Sequence, residues 1–353
     1  MNVGIVSYGY YVPRLRVKTE DIAVAWNKEA SIGEALGVKE KAVGAWDEDS
    51  CTFAVEAARM AVQCSGINPQ DIGAIYVGSE SKPYAVKPSA TKVPEAINAT
   101  PSLTAADLEF ACKAGTAGMQ ACMGMCESGM IKYGLAIGSD TAQAQPGDAL
   151  EFTAGGGAAA VIIAKDNGKN NLIATINDTY SFTTDTPDFW RRQHAEFPSH
   201  AGRFTAEPAY FKHVTGAVKG ILDKTGTTPK DYDYVVFHQP NGKFPVRVAK
   251  SLGFSDASVK QGLVTPLIGN TYSGSSMIGL ASVLDVAKPG QKILLCSYGS
   301  GSGSDAFTLT VEKAIEKPGA RPKESVLDHI SRNKVYTSYV GYIRNRNKIK
   351  HLE

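Results

Sequence analysis

The sequence predicts an α/β protein built from two similar halves, each a sheet of buried strands flanked by helices. Three observations carry this: a segment at 65–72 is echoed at 225–232, helical and strand patterns alternate in the same order around each copy, and a glycine-rich turn before an apolar strand follows each. The first copy, Ser65-Gly-Ile-Asn-Pro-Gln-Asp-Ile72, runs into GAIYVGSE; the second, Thr225-Gly-Thr-Thr-Pro-Lys-Asp-Tyr232, runs into DYVVFHQP. Each reads as a helix end, a glycine cap, a Pro-Asp turn and a short buried strand. Upstream lie TFAVEAARMAVQC and AYFKHVTGAVKGIL, both with helical apolar spacing.

Downstream, Ala111-Cys-Lys-Ala-Gly-Thr-Ala-Gly opens a helix leading to the strand YGLAIGSD, and Gly269-Asn-Thr-Tyr-Ser-Gly opens one leading to KILLCSYG. GGGAAAVIIAKD and GSGSDAFTLTVEK then close the two copies with small residues and an apolar strand. The expected division is 1–171, 172–313 and a basic extension, 314–353, in which Tyr336, Tyr339 and Tyr342 are interleaved. The extension either packs over the core or meets a partner chain; a nucleic-acid role is the weaker reading.

Composition narrows the class. With 353 residues, 43% hydrophobic and 20% charged, the chain has the make-up of an ordinary globular protein and not of a disordered one. A formal charge of +2 supplies no field that calls for nucleic acid or a membrane surface. The first residues place an apolar stretch ahead of the positive charges, the reverse of a signal peptide, and no run reaches the length of a membrane span. Cysteines 51, 64, 112, 122, 126 and 296 have no framework spacing, which suits a reducing compartment, so a cytoplasmic location is expected. Cys122 and Cys126 share a helix face, but no further ligands stand near them, and core packing is the reading.

Corresponding strands of two similar halves end at a common junction, where ligand sites concentrate. Glu80, Cys112, His238, Asn270 and Ser300 all fall there. Cys112 stands where a buried helix begins, and free amides at a helix N-terminus favour a thiolate; the alternative is a structural cysteine. His238 ends the strand YVVF and suits a hydrogen-bond donor or proton carrier, or else is a capped core histidine. Asn270 is either a carbonyl-holding amide or an N-cap, and the two roles are compatible. Glu80, directly after a buried strand, has a raised pKa if it is desolvated and an ordinary one if it is a solvated loop residue. Lys243, Arg247 and Lys250 share a helix face that is either a phosphate-receiving surface or simply solvated. No P-loop, dinucleotide fingerprint or zinc motif is present in the sequence.

FACKAGTAG, VFHQPNGK, IGNTYSGS and the closing SYGSG together resemble the 3-hydroxy-3-methylglutaryl-CoA (HMG-CoA) synthases of the thiolase superfamily, in the compact archaeal form, over residues 1–313. The resemblance implies a thiolase-like fold of two αβαβα halves in five layers. It implies condensation of acetyl-CoA with acetoacetyl-CoA and water to give HMG-CoA and CoA, in the mevalonate route to isoprenoids. Cys112 would carry the acetyl group, Glu80 would act as acid and base, and His238 with Asn270 would hold acetoacetyl-CoA. Thr153, Ser300 and Arg247 match acyl-substrate contacts, and Arg203, Thr205 and Lys243 match contacts to coenzyme A. No metal or redox cofactor is implied. A homodimer is implied, with the apolar helix after Cys112 suited to its interface, as is a complex with acetoacetyl-CoA thiolase and a small OB-fold, zinc-ribbon bridging protein. A ketoacyl-carrier-protein synthase III-like enzyme and a non-catalytic scaffold are the alternatives. Cys296 is similar in place to a second thiolase cysteine, but ends an apolar strand and is expected to pack.

Overall fold

The computed structural model describes residues 2–166, 168 and 171–348. Nine strands make one mixed sheet: β1 (Val3–Tyr11), β2 (Ile72–Gly78), β3 (Thr104–Leu108), β4 (Tyr133–Asp140), β5 (Gly157–Lys165), β6 (Ala174–Thr183), β7 (Tyr234–Phe237), β8 (Lys292–Cys296) and β9 (Gly303–Val311). Their order is β7-β8-β9-β6-β1-β5-β4-β2-β3. At its middle β1 meets β6 only through Val3–Ile5 against Ala174–Ile176. Outward from that seam, β1-β5-β4-β2 and β6-β9-β8-β7 have the same pairing: antiparallel, antiparallel, parallel.

The echoed segments are the same local structure twice. Helices α1 (Ser50–Ser65) and α3 (Lys212–Thr225) end on Gly66 and Gly226, each at φ 64°, a left-handed cap that favours glycine. The turns Pro69–Asp71 and Pro229–Asp231 follow, and lead into β2 and β7.

Between α1 and α3 in the chain lies α2 (Ala114–Glu127); after α3 come α4 (Phe244–Leu252) and α5 (Ser275–Leu284). α5 is apolar but for Ser275, Ser276 and Ser282, and every residue of it is buried. Met119 and Met123 of α2 and Met277 and Leu280 of α5 share one core with the inner sheet face. Two outer cores cover the opposite face: Phe53, Ala57 and Ala61 of α1 over Leu135 and Ile162, and Val214, Val218 and Ile221 of α3 over Val235 and Leu294. The stack is therefore helix, half-sheet, helix pair, half-sheet, helix, the two half-sheets joined at the β1–β6 seam, as expected of a thiolase-like fold. Close approach in the middle layer depends on glycine: a Cβ on Gly115 would lie 2.6 Å from Met277 Sδ, and one on Gly138 2.2 Å from the Ser273 carbonyl.

The α2 helix turns Met119, Cys122 and Cys126 into the core of its own chain, while Ala117, Ala121 and Met125 stay partly exposed. Its first residue is Ala114, with Cys112 two positions ahead of it. No helix among the described residues is long and apolar enough to cross a membrane.

The described part of the C-terminal extension packs on the N-terminal part of the chain. Val335–Tyr336 adds a parallel strand to Leu15–Lys18, which pairs with Glu40–Val43. After α6 (Val326–Arg332), helix α7 (Tyr339–Asn345) inserts Tyr339 and Tyr342 into a cluster that contains Phe152, Tyr272 and Cys112. Lys41 is buried beneath it, with Nζ 4.5 Å from the centre of the Tyr342 ring and donating to the Glu151 carbonyl at 2.5 Å. Burial lowers the Lys41 pKa to about 7. Among the extension's cations, Arg346 donates to the Glu48 carbonyl and Lys348 to that of Ala144, so these charges face the protein. Tyr342→Ala, which empties a fully buried site and uncovers Lys41, is expected to cost about 3–5 kcal/mol by chemical denaturation.

Candidate active site

Each candidate side chain is placed by the end of a regular element. Glu80 follows β2, His238 follows β7, Thr153 precedes β5, Ser300 lies in the glycine loop before β9, and Asn270 opens the turn into α5. Cys112, Thr153, Thr205, His238, Asn270 and Ser300 line one cavity of about 340 Å3, with Phe189, Phe244, Tyr272 and Tyr298 among its apolar walls.

Cys112 is 5% exposed. The residue before it, Ala111, has φ 42°, a left-handed conformation that alanine adopts at a cost and that turns the nucleophile loop out of β3 and into α2. Cys112 Sγ donates to Glu80 Oε1 at 3.1 Å. Glu80 keeps some surface as a residue, yet its carboxyl end is deep, and burial with the nearby Asp140 charge pushes its pKa up to about 8. The thiol is also pushed well above its ordinary value, first by burial and then by Glu80. The helix start alone predicts the opposite, a thiolate. Burial, and after it a carboxylate in contact with Sγ, outweighs the start of α2.

His238 is 2% exposed, and burial lowers its pKa to about 3, so the ring is neutral. Its Nδ1 has no hydrogen-bond partner among the described residues, an orphan polar atom in a site of this kind. Asn270 Oδ1 accepts from the Tyr272 N–H at 2.9 Å, one position ahead of Thr271, which caps the turn into α5, and Asn270 also borders the cavity. A neutral imidazole and an amide on one wall suit a carbonyl oxygen. The Cys112 thiol, in contact with a carboxylate behind it, suits acyl transfer and proton abstraction.

Three expected contacts are not brought to this cavity. Arg203, in the Gly202–Phe204 turn, and Lys243, just before α4, are exposed and do not line it. Arg247 stacks on the Phe211 ring at 4.6 Å and pairs with Glu207 at 3.2 Å, beside Lys212 and Lys250 in a separate surface depression. Those partners hold it outside. Cys296 is fully buried among Val214 and its neighbours in the outer core and does not reach the cavity.

Sequence reasoning missed the groups that fix the site. Asp140, at the end of β4, is fully buried; its Oδ1 accepts from Ser79 Oγ, Ser81 Oγ and the Glu80 and Ser81 amides, and its Oδ2 from the Ser273 amide and hydroxyl. It thus ties the Glu80 turn to the loop that opens α5. Asp188 similarly anchors the glycine loop through Tyr298 Oη at 2.5 Å and the Gly301 amide at 2.9 Å. Lys113, beside the nucleophile, is locked to buried Asp305 at 2.9 Å. A signal for Asp140 existed: the neighbouring parallel strands β2 and β4 end in Gly-Ser-Glu and Gly-Ser-Asp. Asp140→Asn puts an NH2 where donors converge. It is expected to cost about 2–4 kcal/mol in denaturation and to lower kcat more than it raises KM in steady-state assays.

Comparison with known proteins agrees with this arrangement. The family model for the C-terminal part of 3-oxoacyl-(acyl-carrier-protein) synthase III matches residues 222–311. Hydroxymethylglutaryl-CoA synthase of Methanocaldococcus jannaschii is 61% identical over 348 residues, 98% of this chain and 99% of that one. The enzyme of the same name from Archaeoglobus fulgidus is 58% identical, with 99% of each chain covered. Among solved structures, MvaS in complex with 3-hydroxy-3-methylglutaryl coenzyme A superimposes with a TM-score of 0.86 at 25% identity, covering 98% of this chain and 91% of that one. A 3-oxoacyl-(acyl carrier protein) synthase III from Pseudomonas aeruginosa, at 19% identity and a TM-score of 0.79, shares the fold. With identity near 60% sustained from end to end, a five-layered core and a cysteine set against a carboxylate, the chain belongs to the hydroxymethylglutaryl-CoA synthase family.

Proposed function

We propose that this protein condenses acetyl-CoA with acetoacetyl-CoA and water to give (S)-3-hydroxy-3-methylglutaryl-CoA and CoA, through an acetyl thioester on Cys112, as a step toward mevalonate and isoprenoids. The observation that carries the assignment of roles is the 3.1 Å contact between Cys112 Sγ and Glu80 Oε1 at the wall of a largely apolar cavity. Glu80 takes the thiol proton as Sγ attacks the acetyl thioester, and CoA leaves as the thiol. Glu80 then removes a methyl proton from acetyl-Cys112, and the new carbanion adds to the ketone carbon of acetoacetyl-CoA. His238 and Asn270 hold the ketone oxygen as it gains charge, the proton that Glu80 took from the methyl passes to that oxygen to give the 3-hydroxyl and restores the carboxylate, and backbone amides near Cys112 and in the glycine loop hold the thioester oxygen. Hydrolysis of the remaining thioester frees the product.

Thr153 and Ser300 border the acyl end, and Thr205 stands on the wall toward Tyr210 and Phe244. Arg203, Lys243 and Arg247 lie farther out, and a role for them is confined to the coenzyme A arm where it leaves the cavity. The thioesters are substrates, and no cofactor enters these steps. The two pseudo-repeated halves, divided near residue 171, share one site. A homodimer in the cytoplasm, working beside a thiolase and its bridging protein, completes the reading.

The test is to supply the purified protein with acetyl-CoA and either acetoacetyl-CoA or a malonyl thioester. HMG-CoA from the first pair alone is the expected result. Decarboxylating condensation of the malonyl thioester would instead assign a ketoacyl synthase III-like enzyme, for which Glu80 has no task.

A further inference from the structure

Glu80 borders a second cavity, of about 190 Å3, and does not line the substrate-sized one. Ala111, Gln143, Trp190 and Arg191 line it, and Phe189 borders both spaces. The Cys112–Glu80 contact and one phenyl ring therefore stand between two chambers. The chambers differ in chemistry. The large one is walled mainly by rings and aliphatic side chains, whereas the small one carries two carboxyls, a guanidinium and an amide. A further opening of about 200 Å3 shares Gln143 and Arg191 and leads to Lys82 and Glu196.

Gln143 is 9% exposed, and its Nε2 has no hydrogen-bond partner among the described residues. Its amide is near enough to the Glu80 carboxyl to favour the carboxylate, but not in hydrogen-bond geometry with it. A buried donor left so costs about 1–3 kcal/mol unless water satisfies it. A 190 Å3 space has room for several waters at about 30 Å3 each. Arg191 Nη2, at the exposed rim, donates to the Glu80 carbonyl at 2.9 Å and ties that rim to the catalytic turn.

The proposed reaction, on which this inference rests, ends with water reaching a thioester on Cys112 while the CoA arm of the covalent adduct still fills the large cavity. Water has to come from elsewhere. We propose that the small polar cavity is the water port of the enzyme, and that Gln143 Nε2 positions the hydrolytic water beside Glu80. In that step the water oxygen bonds to the acyl carbon and the carbon–Sγ bond breaks. One water proton passes to the Glu80 carboxylate and on to Sγ, leaving a free carboxylic acid and the thiol. Gln143 is a positioning residue here, acting through the water it holds.

The experiment follows Cys112 by intact-protein mass spectrometry during turnover with both thioesters. Gln143→Leu is expected to turn over about tenfold more slowly, to lose less in acetylation than in hydrolysis, and to accumulate the covalent HMG-CoA adduct as its main species. Turnover within twofold of wild type, or slow turnover with acetyl-enzyme accumulating, overturns the port. A wild type that forms no acyl-enzyme defeats the parent reading instead. Should Gln143→Leu fold poorly, Trp190→Ala decides, since Trp190 is 42% exposed at the mouth. Opening the mouth is expected to speed hydrolysis of acetyl-Cys112 without acetoacetyl-CoA about fivefold; an unchanged rate counts against the proposal.

Discussion

Cys112→Ala is expected to abolish acyl-enzyme formation and to lower kcat by at least about 10⁴ while leaving the fold intact. The size of the effect follows from what else borders the cavity. Thr153, Thr205 and Ser300 offer hydroxyls, but none of them is paired with a carboxylate, and Cys296 is sealed in the outer core. Loss of Sγ removes one small atom from a nearly closed site, so denaturation should shift by under about 2 kcal/mol. Cys112→Ser separates nucleophilicity from proton sharing, because it keeps a donor for Glu80 Oε1. It should match wild type in stability and still fail to accumulate an acetyl adduct by mass spectrometry.

The parts of the fold that the sequence disclosed are those where local chemistry and tertiary need coincide. Glycine caps and Pro-Asp turns at 66–71 and 226–231 specify their geometry without outside help, and they stand where the echo places them. Cys112, His238 and Asn270 were legible because each follows or opens an element whose apolar run is unmistakable. What was not legible depends on contacts between distant segments. The rise of the thiol pKa comes first from burial and then from Glu80, 32 positions away, and neither can be seen in the stretch around the cysteine, where only a helix start is apparent. Asp140 reads as the polar end of a strand until Ser273, 133 positions on, is found donating to it. Arg247 sits at helical spacing from Lys243 and Lys250, but Glu207 and Phe211, on another segment, decide where it points. The extension reads as packing over the core or meeting a partner chain, but that its Tyr342 is fully buried against Lys41, 301 positions earlier in the chain, has no local signal.

Glu80→Gln should show opposite signs in activity and in stability. The substitution keeps the shape and an acceptor for the Cys112 thiol but removes the base. Condensation is expected to fall about 10³-fold or more, and acetylation by a smaller factor, since the thiol loses its proton acceptor while the cavity remains. The pH profile gives the sign. Only the carboxylate is a base, so the wild-type rate should climb as pH rises and level off above about 8, where Glu80 is ionised. In Glu80→Gln that limb should vanish.

Stability runs the other way. Because the folded pKa of Glu80 lies above its ordinary 4.5, the contribution of this group is fully present below that value and is lost as pH rises toward 8, where a charge must be kept in a dry site. A glutamine never ionises. Near pH 4 the two proteins should therefore melt together, and above pH 8 the variant should be more stable by about 2–4 kcal/mol, visible as a gain of a few degrees in Tm. A catalytic carboxylate held at such a cost makes function and stability compete at one residue. Equal melting temperatures at pH 8 would mean that Glu80 is solvated in the folded protein, and the 3.1 Å contact with Cys112 would then lose its standing as the centre of the site.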